Sequence, residues 1–134
     1  MQWDASKNAG FSTGEPWLPL PASSRERNVA TQRDDPASLF SLYRRLIRLR
    51  KASVALRRGS YRTLRSPRGV YAYAREADGE RMFVALNFTN AMREISFGAG
   101  DARVRFSTDH RRDGERAALS RLVLAPNEGL IVAG

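Results

Sequence analysis

Near Gly59 the spacing of apolar residues changes from that of a helix to that of a strand. Before it, Leu39, Leu42, Tyr43, Leu46 and Leu49 recur every three or four residues, which places them on one side of an α-helix. After it, alternation with period two runs almost to the C-terminus, as expected of strands with one face in a core. One helix followed only by short strands points to a mainly β fold in which the helix is laid against a sheet.

The helix is expected over residues 35–52. Asp35 can accept the free amides of the first turn, and Pro36 suits the first helical position, where a missing N–H costs nothing. Phe40 and Ile47 flank the main stripe, so this helix calls for cover on more than one side. Expected strands are Tyr61–Leu64, Val70–Glu76, Arg81–Phe88, Met92–Phe97, Arg103–Ser107, Leu119–Leu124 and Gly129–Ala133. Asp78-Gly79 between the second and third is a hairpin signal. Arg81–Phe88 is apolar on both faces and reads as a central strand. Six or seven short strands with turns at this spacing predict an antiparallel, Greek-key-like β-sandwich.

Residues 1–34 have no sustained period and are punctuated by Gly10, Gly14, Pro16, Pro19 and Pro21. They nevertheless carry Trp3, Phe11, Trp17, Leu18 and Leu20, which a disordered tail would lack. This reads as a long loop with apolar anchors that belongs against something larger.

The net charge of +9 is confined to one stretch. Residues 1–35 carry four basic and five acidic side chains, residues 69–134 nine of each, and residues 36–68 ten basic and no acidic ones. Arginine outnumbers lysine 21 to 2, and Arg44, Arg45, Arg48 and Lys51 sit where cations complement a helix C-terminus. A solvated face accounts for the run better than a phosphate-binding one, so no nucleic-acid partner is expected. With no cysteine and one histidine, His110, neither a thiolate nor a multi-histidine metal site can be written, and no metal or other cofactor is expected. No apolar run reaches membrane-spanning length and no leader is visible, so the expected location is cytoplasmic, with no membrane partner.

Catalytic chemistry is hard to find. The acids fall in turns, as Asp78 and Glu80 do, or beside arginines between Asp109 and Glu115. Asp109, His110 and Asp113 could be written as an acid–base cluster, but a polar connection between two strands explains them better. No nucleophile elbow and no glycine-rich phosphate loop is present.

A longer pattern gives more. Met1-Gln2-Trp3-Asp4, Asn8-Ala9-Gly10-Phe11-Ser12, Pro16-Trp17-Leu18-Pro19 and Asn28-Val29 occur in order, followed by Asp35-Pro36-Ala37-Ser38-Leu39 and Tyr43 to Lys51. Gly59-Ser60-Tyr61, Val70-Tyr71-Ala72-Tyr73, Leu86-Asn87-Phe88 and Pro126-Asn127-Glu128-Gly129 continue it. The whole closely resembles the C-terminal part of alpha-glucosidases and oligo-alpha-1,6-glucosidases of the alpha-amylase superfamily, glycoside hydrolase family 13. The resemblance implies three parts: a loop after the last strand of a (β/α)8 barrel (1–34), the final barrel helix (35–52) and a C-terminal β-sandwich (53–134). It implies a retaining hydrolase of terminal alpha-glucosyl units whose nucleophile aspartate, acid/base glutamate and second aspartate all lie upstream of Met1. No catalytic residue is therefore expected here, and Gln2 and Trp3 alone are placed near the substrate entrance. The implied partner is the missing catalytic barrel, with oligosaccharide bound only by the full-length protein. An isolated fragment of this kind is expected to leave apolar surface bare and to respond by self-associating, by leaving residues 1–34 mobile, or by both. The competing expectation is a free-standing carbohydrate- or protein-binding module, which would need exposed aromatics grouped on one sheet face; Tyr61, Tyr71 and Tyr73 are the candidates.

Overall fold

In the computed structural model, which describes residues 1–134, the main helix begins four residues later than Asp35 suggests. The chain forms α1 (Val29–Arg33), α2 (Leu39–Ala52) and α3 (Val54–Arg58), then eight strands. Asp35 spends its carboxylate on the Ala37 amide at 2.8 Å, inside the turn that precedes α2. The cap is Ser38 instead: its hydroxyl accepts from the Ser41 amide at 3.1 Å and donates to the Gln32 carbonyl at 2.7 Å. The Gln32 side chain accepts the Phe40 amide at 3.1 Å. Two of the four free amides of the first turn are thereby satisfied.

Packing divides the chain into two compact units, Met1–Arg44 and Arg45–Gly134. In the first, the expected loop is more structured than its lack of period suggests. Short 3-10 turns form at Lys7–Gly10 and Ala22–Arg25, and α1 follows an Asn28 cap.

In the second unit the backbone switches from helix to sheet within a few residues. Buried Ser53 closes α2, its amide bonded to the Leu49 carbonyl, and then starts α3, its hydroxyl accepting from the Leu56 amide at 3.0 Å. Gly59 ends α3 where a Cβ would lie 2.5 Å from the Ala55 carbonyl oxygen and 2.9 Å from that of Glu76. Only glycine permits this turn into the first strand.

The strands are β1 (Ser60–Thr63), β2 (Val70–Ala77), β3 (Glu80–Asn87), β4 (Arg93–Ile95), β5 (Asp101–Ser107), β6 (Arg116–Ala118), β7 (Leu122–Leu124) and β8 (Gly129–Ala133). Six form one sheet in the order β1-β2-β3-β8-β5-β6, and β4 pairs with β7 in a second, with every pairing antiparallel. The fold is mainly β, as expected. β8 sits between β3 and β5, so the last strand completes the middle of the large sheet. The core lies between the sheets, with Phe83, Val104, Leu130 and Val132 facing Ile95, Leu122 and Leu124. β3 is central and buried on both faces: Phe83 and Ala85 point into that core, while Met82 and Val84 are buried on the other side, where α3 packs against β2 and β3.

Three strand expectations shift, the simplest being Met92–Phe97, which shrinks to Arg93–Ile95. β6 lacks alternating apolar residues and gave no signal, yet pairs with β5 from Asp101↔Ala118 to Arg103↔Arg116. The expected strand Leu119–Leu124 shrinks to Leu122–Leu124, because the Leu119 amide and carbonyl are taken by Gly100 and Phe97 and a turn follows.

Candidate functional site

The opening residues build a small closed loop from their own backbone. Asn8, Ala9 and Gly10 are successive left-handed residues, with φ of 57°, 52° and 68°. A non-glycine residue in this region costs about 1 kcal/mol, so two in a row need compensation. They receive it. Asn8 is buried and donates its side-chain amide to the carbonyls of Ser12 (3.3 Å) and Gly14 (2.8 Å). The Ala9 carbonyl accepts the amides of Trp3 (2.8 Å) and Asp4 (3.4 Å). The Asp4 carboxylate lies over Gly10, where a Cβ would meet it at 2.6 Å. Hydrogen bonds from the Ser6 hydroxyl and amide hold that carboxyl below its ordinary range.

Gln2 and Trp3 are fixed from the other side. Their carbonyls accept the amides of Val29 (3.0 Å) and Ala30 (2.9 Å), the first turn of α1. Asn28 completes that end: buried, it accepts from the Thr31 amide and hydroxyl and donates to the carbonyls of Ser24 and Arg25. The backbone of Trp3 is thus held on both sides and that of Gln2 through its carbonyl alone, with Gln2 half-buried and the Trp3 indole exposed. An open cleft of about 570 Å³ on the same loop is lined by Ser6, Lys7, Gly10, Phe11, Ser12 and Thr13.

Asp109, His110 and Asp113 do not assemble into an acid–base group. Asp109 pairs with Arg111, whose hydrogen bonds hold its pKa down to about 2. A general acid needs the opposite shift. Asp113 is taken by Arg45 of α2 and by the Ser107 amide at 2.8 Å. Arg45 also donates to the Ser107 carbonyl at 3.1 Å and lies over the Phe106 ring, 4.9 Å from its centre.

Beneath this lies a buried carboxylate that the sequence does not advertise. Glu128 is 3% exposed and accepts from the Ser107 hydroxyl (2.6 Å), the Ala125 amide (2.7 Å) and Arg112 (2.8 Å to each oxygen). Arg112 also reaches Glu115 and the Val123 carbonyl. Each lone pair of Glu128 is directed at a protein donor, so the group ties the β5–β6 connection to the last turn. The only available signal was Glu128 in a Pro-Asn-Glu-Gly turn, where an acid is ordinarily solvated.

Tyr61, Tyr71 and Tyr73 do come together. All three stand on the outer face of β1 and β2, with ring centres 5.2 Å (Tyr61–Tyr73) and 5.8 Å (Tyr71–Tyr73) apart. The Tyr61 and Tyr71 hydroxyls hydrogen-bond to each other. No three His, Asp and Glu side chains gather as a metal-ligating group.

The family model for the catalytic domain of alpha-amylase matches residues 1–59, ending at the glycine where the period changes. Beyond it the likeness continues: the glucan 1,6-alpha-glucosidase of Streptococcus pneumoniae is 33% identical over 132 residues, 98% of this chain. This chain belongs to the alpha-amylase family. The trehalulose synthase of Pseudomonas mesoacidophila superposes with a TM-score of 0.84 at 37% identity over 98% of the chain. The human amino acid transporter heavy chain SLC3A1 is 37% identical over 139 residues, again 98% of the chain. The chain spans 24% of the first two proteins and 20% of the third, so it corresponds to a fragment of these alpha-amylase relatives. No helix in it is long and apolar enough to cross a membrane.

Proposed function

We propose that this chain is the non-catalytic C-terminal portion of an alpha-glucosidase that removes terminal alpha-glucosyl units from oligosaccharides. Its work is structural: α2 completes the catalytic domain and the β-sandwich braces that helix. Gln2 and Trp3 shape the substrate entrance, because the loop that carries them is held rigid by hydrogen bonds at both ends while the indole stays exposed.

The observation that carries this reading is that nearly the whole chain is matched in proteins named for different tasks, a glucosidase, a sugar synthase and a transporter heavy chain. A segment kept across such roles supplies a frame, with the chemistry set elsewhere. The cleft on the opening loop has no acidic side chain in its lining. The larger cleft, about 660 Å³ at the β5–β6 edge, has Asp101 as its one acidic side chain.

The test is an aryl alpha-glucoside assay on the 134-residue chain, which should show no turnover above buffer. In a full-length enzyme carrying this segment, Trp3→Ala should raise KM severalfold with kcat within a factor of about two. Turnover by the isolated chain that vanishes on Asp109→Asn or Asp113→Asn would overturn the structural reading.

A further inference from the structure

The tyrosine cluster is more ordered than exposed aromatics on a strand usually are. In β1–β2, Thr63 faces Tyr73 and Tyr61 faces Arg75. The Tyr61 hydroxyl nevertheless lies 3.3 Å from the Thr63 hydroxyl, two residues further along its own strand, and bonds to Tyr71 beyond it. Two residues of strand span about 7 Å, close to the full length of a tyrosine side chain. Tyr61 therefore lies along the sheet instead of standing off it. Its ring centre lies 5.2 Å from that of Tyr73, with the two rings tilted 35° to each other, and 53% of the residue is exposed.

The surroundings select the chemistry of a ligand. The hydroxyls of Tyr61, Tyr71 and Thr63 form a chain of neutral donors and acceptors along the rim of the rings. Mutual bonding lowers the Tyr61 pKa, chiefly through Thr63 and then Tyr71, and raises that of Tyr71. The charged residue beside the rings, Arg75, is committed to backbone, donating to the carbonyls of Gly59 (2.8 Å) and Ser60 (3.0 Å). Of the nearby carboxylates, Glu76 lies on the opposite face of β2 and pairs with Arg81, while Glu80 of β3, which shares the face, accepts from the Ala55 amide at 2.8 Å. An exposed ring edged by neutral hydroxyls fits a molecule with an apolar face and a hydroxylated rim, and offers little to a charged one.

We propose that Tyr61, Tyr71 and Tyr73 form a binding surface for a neutral oligosaccharide, one glucosyl ring stacking on Tyr61 with its hydroxyls meeting Tyr71 and Thr63. The proposal goes beyond the structural role assigned above and stands without it, because binding is measured on the chain itself and needs no catalysis.

The experiment is a titration of the 134-residue chain with isomaltotriose and maltotriose, followed by ligand-observed NMR and calorimetry. Saturable millimolar binding to at least one sugar is expected. Tyr61→Ala should weaken it about tenfold or more, the size of a lost ring contact, and Tyr61→Phe, which keeps the ring, should weaken it less. Circular dichroism on each variant establishes that the sheet is intact, and Tyr71→Ala is the second variant should Tyr61→Ala fail to fold. Trp17→Ala should leave binding unchanged. Three results would overturn the proposal: no saturable binding of either sugar, binding lost with Trp17→Ala but kept with Tyr61→Ala, or a self-associated chain that Tyr61→Ala makes monomeric and in which sugar never bound.

Discussion

Arg45 of α2 and Asp113 of the β5–β6 connection form an ion pair that joins the main helix to the sandwich across 68 residues of sequence. Both groups are only a quarter to a third exposed, and the buried Arg45 Nε has no partner of its own. Behind the pair, Ser107 bonds Asp113 and Arg45 with its backbone and Glu128 with its hydroxyl, so one residue links two carboxylates.

Asymmetry between the two carboxylates gives the first prediction. Removing Glu128 leaves Arg112, the Ser107 hydroxyl and the Ala125 amide without their acceptor in a buried place, so Glu128→Ala should cost about 3 kcal/mol. Asp113 is more open, and Asp113→Ala should cost about 1–2 kcal/mol. Urea titrations monitored by circular dichroism measure both. A neutral Glu128→Ala would mean the buried network contributes nothing net, and equal costs would mean that burial does not set Glu128 apart from Asp113.

How far the sequence told this story differs by element. α2 was legible because its apolar residues repeat over about three turns, yet its start was misplaced, since Asp35 and Ser38 both carry capping chemistry and only the fold shows which one faces free amides. β3 was legible as a central strand from apolar residues at successive positions. β6 was not, because Arg116-Ala117-Ala118 is an edge held by backbone pairing, with no side-chain pattern. Grouping of the tyrosines followed from period two, but the hydroxyl chain across them depends on strand register. Nothing local distinguishes buried Glu128 from a solvated turn acid; its burial depends on Arg112 and Ser107, 16 and 21 residues away.

Asp109 gives a prediction for acid. Its pKa in the folded chain is about 2, held down first by Arg111, against about 4 for an unfolded aspartate. A depressed carboxyl stabilises the fold fully above the unfolded value and loses that contribution as pH falls toward the folded one. Asp109→Asn should therefore flatten the decline of Tm between about pH 4 and pH 2 and leave the slope above pH 5 unchanged. Melting curves across that range decide it; parallel declines for both proteins would show that Arg111 does not hold the group.

Gly10 tests the opening loop. A Cβ there would strike the Asp4 carboxylate, and the residue sits at φ +68°, so Gly10→Ala is strained twice over. The expected result is at least tenfold faster hydrogen exchange at the Trp3 and Asp4 amides, which donate to Ala9, with exchange in β3 and β8 unchanged. Trp3 fluorescence should shift toward the solvated value. If exchange at Trp3 is already at the unfolded rate in the parent chain, the loop is not held as described.

The exposed face of α2 carries the last prediction. Leu39, Tyr43 and Ile47 are four residues apart, one above another along the helix, and are 68%, 61% and 50% exposed. Leu42, Leu46 and Leu49 turn a different side and are partly covered. A bare leucine, isoleucine or tyrosine forgoes about 1.5–3 kcal/mol of burial, so three in a line rival the net stability of a small domain. On the function proposed above, a catalytic domain would lie over this stripe. Without it, the chain meets the same demand with a second copy, because large apolar patches seldom remain solvated. Sedimentation should show self-association at about 10–100 µM. Ile47→Lys should weaken that association, and Tyr43→Lys with Ile47→Lys should abolish it, with the sheet's circular dichroism unchanged. A chain that stays monomeric up to millimolar concentration, or one whose association survives both lysines and disappears with Trp17→Ala, would move the sticky surface from α2 to the opening loop.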